Sequence, residues 1–184
     1  AKWIWSIYLM LTIACILSYY VAGMGLFDSF NYAMTTTATG GFSTHNTSTE
    51  FFHSPSLEYI CTFFCFLSGV NFTLLYAAVI KFKIKELFRN SEFRFYIFLV
   101  TVFSIFIMVE LIVMRNYDIE HAFRSAIFQV VSFITTTGLF NDDAALWPHV
   151  TWVLLSMCMC IGACSGSTSG GLKCIRGVIL LRMV

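Results

Sequence analysis

Charged side chains cut the sequence into long apolar intervals. Lys2 to Asp28 encloses 25 uncharged residues, Glu58 to Lys81 encloses 22, and Asp143 to Lys173 encloses 29. Arg94 to Arg115 encloses 20, interrupted only by Glu110 near one end. A hydrocarbon core of about 30 Å needs about 20 helical residues. The intervals therefore predict four spans, over 3–23, 57–80, 94–114 and 146–183. Two further uncharged stretches do not fit a span. Residues 29–49 hold Thr35-Thr36-Thr37, Thr39, Gly40, Gly41 and Ser43, too polar to face lipid. Residues 125–141 are too short to cross and run into Thr135-Thr136-Thr137-Gly138. Both read as re-entrant segments, which are tolerated at membrane depth where they are buried in protein or line an aqueous cavity.

Composition removes the soluble alternatives. The chain is 58% hydrophobic and 11% charged, with 20 Phe among its 184 residues. A soluble domain carries roughly 25% charged residues. A net charge of +1 gives no field for a polyanion, so nucleic acid is excluded as a partner. Membrane lipid is the implied surrounding. The first span is too long for a signal peptide and lacks a small-residue cleavage site. If the spans alternate, nine of the eleven basic residues share one side: Lys2, Lys81, Lys83, Lys85, Arg89, Arg94, Lys173, Arg176 and Arg182. That side is cytoplasmic by the positive-inside rule. The outer side receives Asp28, Glu50, Glu58, Asp118, Glu120, Asp142 and Asp143, with Arg115, Arg124 and all four His. Both re-entrant stretches enter from this acidic face, which raises local cation concentration over a screening length of about 8 Å.

The pattern repeats. Each half runs span, short helix, Thr-Gly turn, span. Setting Gly40 over Gly138 places Phe30 over Phe128, Asn31 over Gln129 and Thr39 over Thr137. Two spans separate the copies, so they share one sense, as units around a pore axis do. The turns Ala38-Thr39-Gly40-Gly41-Phe42 and Thr136-Thr137-Gly138-Leu139-Phe140 each end a short helix whose C-terminus points into the membrane. Helix C-termini favour cations. An extended strand beyond them can aim carbonyls at an axis and replace an ion's hydration shell. The ordinary alternative for one such turn is a helix C-cap beside a polar loop; two copies at matching points argue against it.

The order of four stretches carries a resemblance. Thr37-Ala38-Thr39-Gly40-Gly41-Phe42-Ser43-Thr44-His45, Glu92-Phe93-Arg94-Phe95-Tyr96, Thr135-Thr136-Thr137-Gly138-Leu139 and Gly162-Ala163-Cys164-Ser165-Gly166-Ser167-Thr168-Ser169-Gly170-Gly171-Leu172-Lys173 resemble the Trk/Ktr/HKT potassium-uptake superfamily over essentially the whole chain. The resemblance implies an all-α integral membrane fold of repeated helix–pore helix–helix units, like a potassium channel, with about four spanning helices and two re-entrant pore helices. It implies two of the family's four units. The first is 1–90, with outer helix 3–23, pore helix 27–37, filter 38–42 and inner helix 57–88. The second is 91–184, with outer helix 94–114, pore helix 120–135, filter 136–140 and a broken inner helix 146–184 carrying a loop at 162–171. Potassium would bind the carbonyls of Ala38, Thr39, Gly40, Gly41, Thr136, Thr137, Gly138 and Leu139. The gate would comprise Gly162, Cys164, Ser165, Gly166, Ser167, Thr168, Ser169, Gly170 and Gly171. The family implies a homodimer of pore subunits in the bacterial inner membrane, a cytosolic nucleotide-binding regulatory subunit, and no organic cofactor.

The residues support the gate independently. A run over 146–184 is too long for one straight crossing, and four glycines within 162–171 weaken a helix in its middle. A flexible segment at that depth suits a hinge; close packing through small residues is the competing reading. Enzyme motifs fail on spacing. Leu172 separates Gly171 from Lys173, which breaks a Walker A loop, and Thr168 stands where a nucleophile elbow needs Ser. The seven Cys (Cys15, Cys61, Cys65, Cys158, Cys160, Cys164 and Cys174) read as small buried hydrophobes, not metal ligands. Glu110 reads as snorkelling to the outer interface, Asn71 as lining a cavity or bonding across helices, and Arg115 and Arg124 as salt-bridging to Asp118 or Glu120.

A carbonyl ring needs four loops and this sequence holds two, and Lys2 leads from Ala1 straight into a span, so a longer subunit is expected. The sequence thus predicts potassium movement, passive or coupled as in symport, through a channel-like path. The alternatives are a sodium/potassium-permeable relative of the same superfamily and a non-conducting membrane scaffold.

Overall fold

A computed structural model describes residues 2–142 and 147–183, with side chains over 4–142 and 147–179. Asp143, counted above among the outer acidic groups, lies outside the described residues. The described residues form helices joined by loops, without strands: α1 (Lys2–Val21), α2 (Leu26–Thr37), a 3₁₀ turn (Ser48–Phe52), α3 (Pro55–Ser68), α4 (Phe72–Val79), α5 (Ile84–Arg89), α6 (Ser91–Arg115), α7 (Ile119–Ile134), α8 (His149–Ile161) and α9 (Cys174–Met183). The chain is a membrane protein, and its helices carry their apolar residues outward as well as inward. Ile4, Trp5, Leu9 and Ile13 of α1, and Phe98, Val102, Ile105 and Phe106 of α6, are exposed as lipid-facing side chains would be.

Helix ends follow local chemistry. Pro55 starts α3, where a missing N–H has no helical partner to lose. Asn90 caps α6: its Oδ1 accepts from the N–H groups of Glu92 at 2.9 Å and Phe93 at 3.2 Å. Asn116 ends the same helix in the left-handed conformation at φ 52°.

Among the described residues, two single helices, within α1 and α6, are long and apolar enough to cross a bilayer, and the bent pair α3–α4 makes a third if counted as one span. The expected spans over 57–80 and 146–183 are each interrupted, the second at the loop already expected over 162–171. The inner helix expected over 57–88 is three pieces. α3 stops at Ser68, and α4 leaves at 107° after a short break; α5 follows beyond residues 80–83. Gly69, at the end of α3, lies against the Tyr96 hydroxyl and Thr135, which requires a residue without a side chain where the chain turns. Asn71 then restarts the helix, accepting from the Thr73 N–H at 2.9 Å. Asn71 is therefore a cap at a break, the role its mid-span position concealed. The fourth expected span is α8, a loop over 162–173, and α9.

The packing places the short helices inside. α2 lies along α1 and α3, while α7 is held by α3, α6 and α8. α3 of the first unit thus touches both re-entrant helices. Glu110 does not snorkel: it is buried, and its Oε2 accepts from Thr151 Oγ1 at 2.8 Å, bonding α6 to α8. Cys160 is exposed, unlike the other six cysteines.

Candidate functional site

The two Thr-Gly turns share one backbone. After α2, the Ala38 N–H reaches Met34 O at 3.0 Å, Thr39 reaches Thr36 O at 3.3 Å and Gly40 reaches Thr35 O at 2.8 Å. After α7, Thr135 reaches Val131 O at 3.0 Å, Thr136 reaches Phe133 O at 2.9 Å and Thr137 reaches Ser132 O at 2.8 Å. Positive φ falls at Thr39 (52°) and Gly41 (73°) in the first turn and at Thr136 (54°) and Gly138 (79°) in the second. The equivalent pairs are therefore Thr39 with Thr136 and Gly41 with Gly138. This shifts by one residue the alignment that set Gly40 over Gly138, Phe30 over Phe128 and Asn31 over Gln129. That alignment matched residue types, whereas the backbone repeats where φ must be positive. Tyr32, not Asn31, is the counterpart of Gln129; both are fully buried.

Two β-branched residues in the left-handed region are unusual, and such strain persists only where surroundings enforce it. The loop 162–171 supplies part of that surrounding. Thr39 Oγ1 donates to Thr168 O at 3.0 Å, and Thr136 Oγ1 accepts from the Gly170 N–H at 2.7 Å. Thr168 Oγ1 in turn lies 3.0 Å from Thr37 O and 3.3 Å from Ser68 O as donor. One loop segment thus touches the helix-end side of both turns. The turns also meet each other, since a Cβ on Gly41 would collide with the Thr137 carbonyl oxygen. On Gly138 it would meet nothing within 4 Å.

The loop is closed rather than loose. Its neck is Gly162 against Gly171, where a Cβ on Gly171 would lie 2.7 Å from Gly162 Cα. The Leu172 N–H reaches Cys160 O and the Cys174 N–H reaches Ala163 O, both at 3.0 Å. The Ser165 N–H donates to the buried Glu92 carboxylate, Ser167 Oγ lies 2.8 Å from Ser169 Oγ, and Lys173 Nζ donates to Ser169 O. The segment with four glycines, expected to act as a hinge, is stitched by hydrogen bonds in this conformation. Two of its bonds cross to the break in the first unit: the Cys164 N–H donates to Gly69 O at 3.0 Å, and Gly166 O accepts from the Phe72 N–H at 3.1 Å. Each interrupted helix satisfies backbone groups that the other leaves open.

Chemically, both short helices direct their C-terminal carbonyl ends at the paired turns, an arrangement that favours a cation. The Leu139 carbonyl accepts from Ser132 Oγ at 2.8 Å and so faces α7, and the Ala38 carbonyl accepts from Thr39 Oγ1 at 2.7 Å. At the outer rim, Asp28 Oδ1 accepts from Thr44 Oγ1 at 2.7 Å, and Arg124 Nε lies 3.5 Å from Glu58 and 3.7 Å from Glu120. Sequence reasoning placed the turns and the loop but passed over Glu92, Gly69, Ser132 and Asn141. Glu92 stood inside a quoted motif; a buried carboxylate position beside the loop was its only signal. Among the described residues, no cluster of three or more His, Cys, Asp or Glu could hold a metal through side chains.

The family profile of TrkH, described as a cation transport protein, matches residues 1–184. The Trk system potassium uptake protein TrkH of Halomonas elongata is 37% identical over 182 residues, covering 99% of this chain and 38% of that protein. The protein of the same name from Salmonella typhimurium is 39% identical over 183 residues, again covering 99% and 38%. The crystal structure of the potassium transporter TrkH from Vibrio parahaemolyticus superposes with a TM-score of 0.93 at 39% identity, over 98% of this chain and 39% of that one. The chain therefore spans less than two fifths of the length of these relatives.

Proposed function

Because the chain belongs to the TrkH family of cation transport proteins, we propose that it supplies two of the four filter loops in the ion path of a potassium uptake protein. The observation that carries this reading is the repeated turn. Two re-entrant helices end in the same strained backbone, with positive φ at Thr39 and Gly41 and again at Thr136 and Gly138. Alternating φ signs turn successive carbonyls toward one side, which is what a dehydrated cation requires of a backbone. The ligands are the carbonyls of Ala38–Gly41 and Thr136–Gly138. Ala38 and Leu139 contribute less, since their carbonyls are engaged by the hydroxyls of Thr39 and Ser132. The loop Gly162–Gly171 is the gate, closed in this conformation by its bonds to Thr37, Thr39 and Thr136.

The names of the relatives support potassium as the cargo; a dimer of pore subunits and a cytosolic nucleotide-binding partner rest on the sequence resemblance alone. That partner would meet the basic inner face around Lys81–Arg94, Lys173 and Arg176. The test is rubidium uptake by potassium-starved cells expressing the full-length protein. Gly138→Asp puts a side chain at the open side of the filter and a β-carbon at φ 79°. It abolishes uptake while the protein still inserts into the membrane. Unchanged uptake removes Gly138 from the ion path, and the filter reading with it.

A further inference from the structure

The outer end of the second filter turn is held by side chains the ion path does not use. Leu139 O is tied to Ser132 Oγ. Phe140 accepts at its carbonyl from the Thr49 N–H at 3.0 Å and donates its own N–H to Ser48 Oγ at 3.1 Å. Asn141 comes next and is buried. Its Nδ2 donates to Glu58 Oε2 at 2.5 Å, 83 residues away in the sequence, and also lies 3.4 Å from Ser125 Oγ. Its Oδ1 accepts from Gln129 Nε2 at 3.2 Å. Glu58 belongs to α3, in the other unit.

These partners leave Asn141 one orientation. An ionised carboxylate only accepts, so it must face the Asn141 NH₂. That leaves Oδ1 toward Gln129, whose amide N–H can only donate. Turning the Asn141 amide over would set oxygen against the Glu58 carboxylate and NH₂ against the Gln129 NH₂. Arg124 Nε lies 3.5 Å from the carboxylate as its counter-charge, and both side chains are only 9% exposed. A buried charge pair of this kind is costly to break and specifies one arrangement. Two ordered residues separate Asn141 from Gly138, so the position of the carboxylate is transmitted to the filter carbonyls.

We propose that Glu58, acting through Asn141, is a positioning residue for ion selectivity: it sets the outer geometry of the second filter turn from across the unit boundary. The proposal rests on the ion-path reading above and adds a residue that touches no ion. Its test compares rubidium with sodium influx in vesicles holding the full-length protein, at equal amounts of protein in the membrane.

Glu58→Leu and Asn141→Leu each lower the rubidium-to-sodium ratio about tenfold, the loss expected from one charge-assisted hydrogen bond. The double variant falls no further than either single one, because both remove the same link. Glu58→Gln retains an oxygen that accepts from Asn141 and restores the ratio toward the unsubstituted value, which a general packing defect at position 58 would not allow. A ratio unchanged in both Leu variants overturns the proposal, as does a double variant that multiplies the single effects. If Glu58→Leu does not accumulate, Asn141→Leu and Asn141→Asp decide; Asp sets a second carboxylate against Glu58 and must also lower the ratio. An unsubstituted protein that passes no rubidium overturns the ion-path reading instead.

Discussion

A Cβ built on Gly69 would lie 2.6 Å from the Tyr96 hydroxyl oxygen and 2.7 Å from Thr135 Cγ2. Neither neighbour is free to retreat. Tyr96 is fully buried and its hydroxyl donates to Phe66 O at 3.3 Å, while Thr135 caps α7 directly before the strained Thr136. Gly69→Ala therefore destabilises by about 1–3 kcal/mol, the range for overpacking a filled interior. Thermal unfolding in detergent measures this, and Tyr96→Phe in the same background recovers part of the loss by removing the hydroxyl. A Gly69→Ala protein as stable as the original would show the contact to be slack. Little of this was legible beforehand. A single glycine in an apolar run carries no sign that two other helices cross it, whereas the four glycines of 162–171 announced an interruption by number alone. Glu58 and Asn141 were equally silent, since their meaning lies in a contact between distant parts of the sequence.

Element boundaries were more readable, because a charge-free interval of spanning length has few physical interpretations in water. The two short helices α2 and α7 also declared themselves, ending in Thr and Gly clusters too polar for lipid. What the sequence obscured was the register between the units, since the eye pairs glycine with glycine. The backbone instead pairs Thr39 with Thr136, and those two hydroxyls reach the same loop. Under the ion-path proposal, the loop latches both turns as well as obstructing the path. Thr168→Val removes the hydroxyl that bonds Thr37 O. One neutral hydrogen bond contributes about 1 kcal/mol, so the closed state loses population about fivefold and rubidium flux rises by a similar factor. Deleting part of 163–170 raises flux further. Flux that stays level or falls in Thr168→Val shows that the hydroxyl does not hold the closed form.

At the scale of the whole molecule, the two units are not separable bodies joined by a linker. The break after α3 and the loop after α8 exchange backbone hydrogen bonds through Gly69, Phe72, Cys164 and Gly166. In hydrocarbon an unpaired backbone group costs several kcal/mol, so neither interruption is stable without the other. Residues 1–90 expressed alone are expected to be degraded in the membrane, and co-expression with 91–184 is expected to protect them. Equal protease resistance with and without the second piece would contradict this dependence.

The same exchange of bonds sets a condition on biogenesis. A ribosome delivers Ser68 and its neighbours 100 residues before Thr168, whose hydroxyl reaches back to them. At about 5–20 residues per second, the nascent first unit waits on the order of 5–20 s. During that interval its kink must be sheltered by water or by the insertion machinery. Substitutions at the kink should therefore be felt first as a lower yield of inserted protein, before any ion has had the chance to cross.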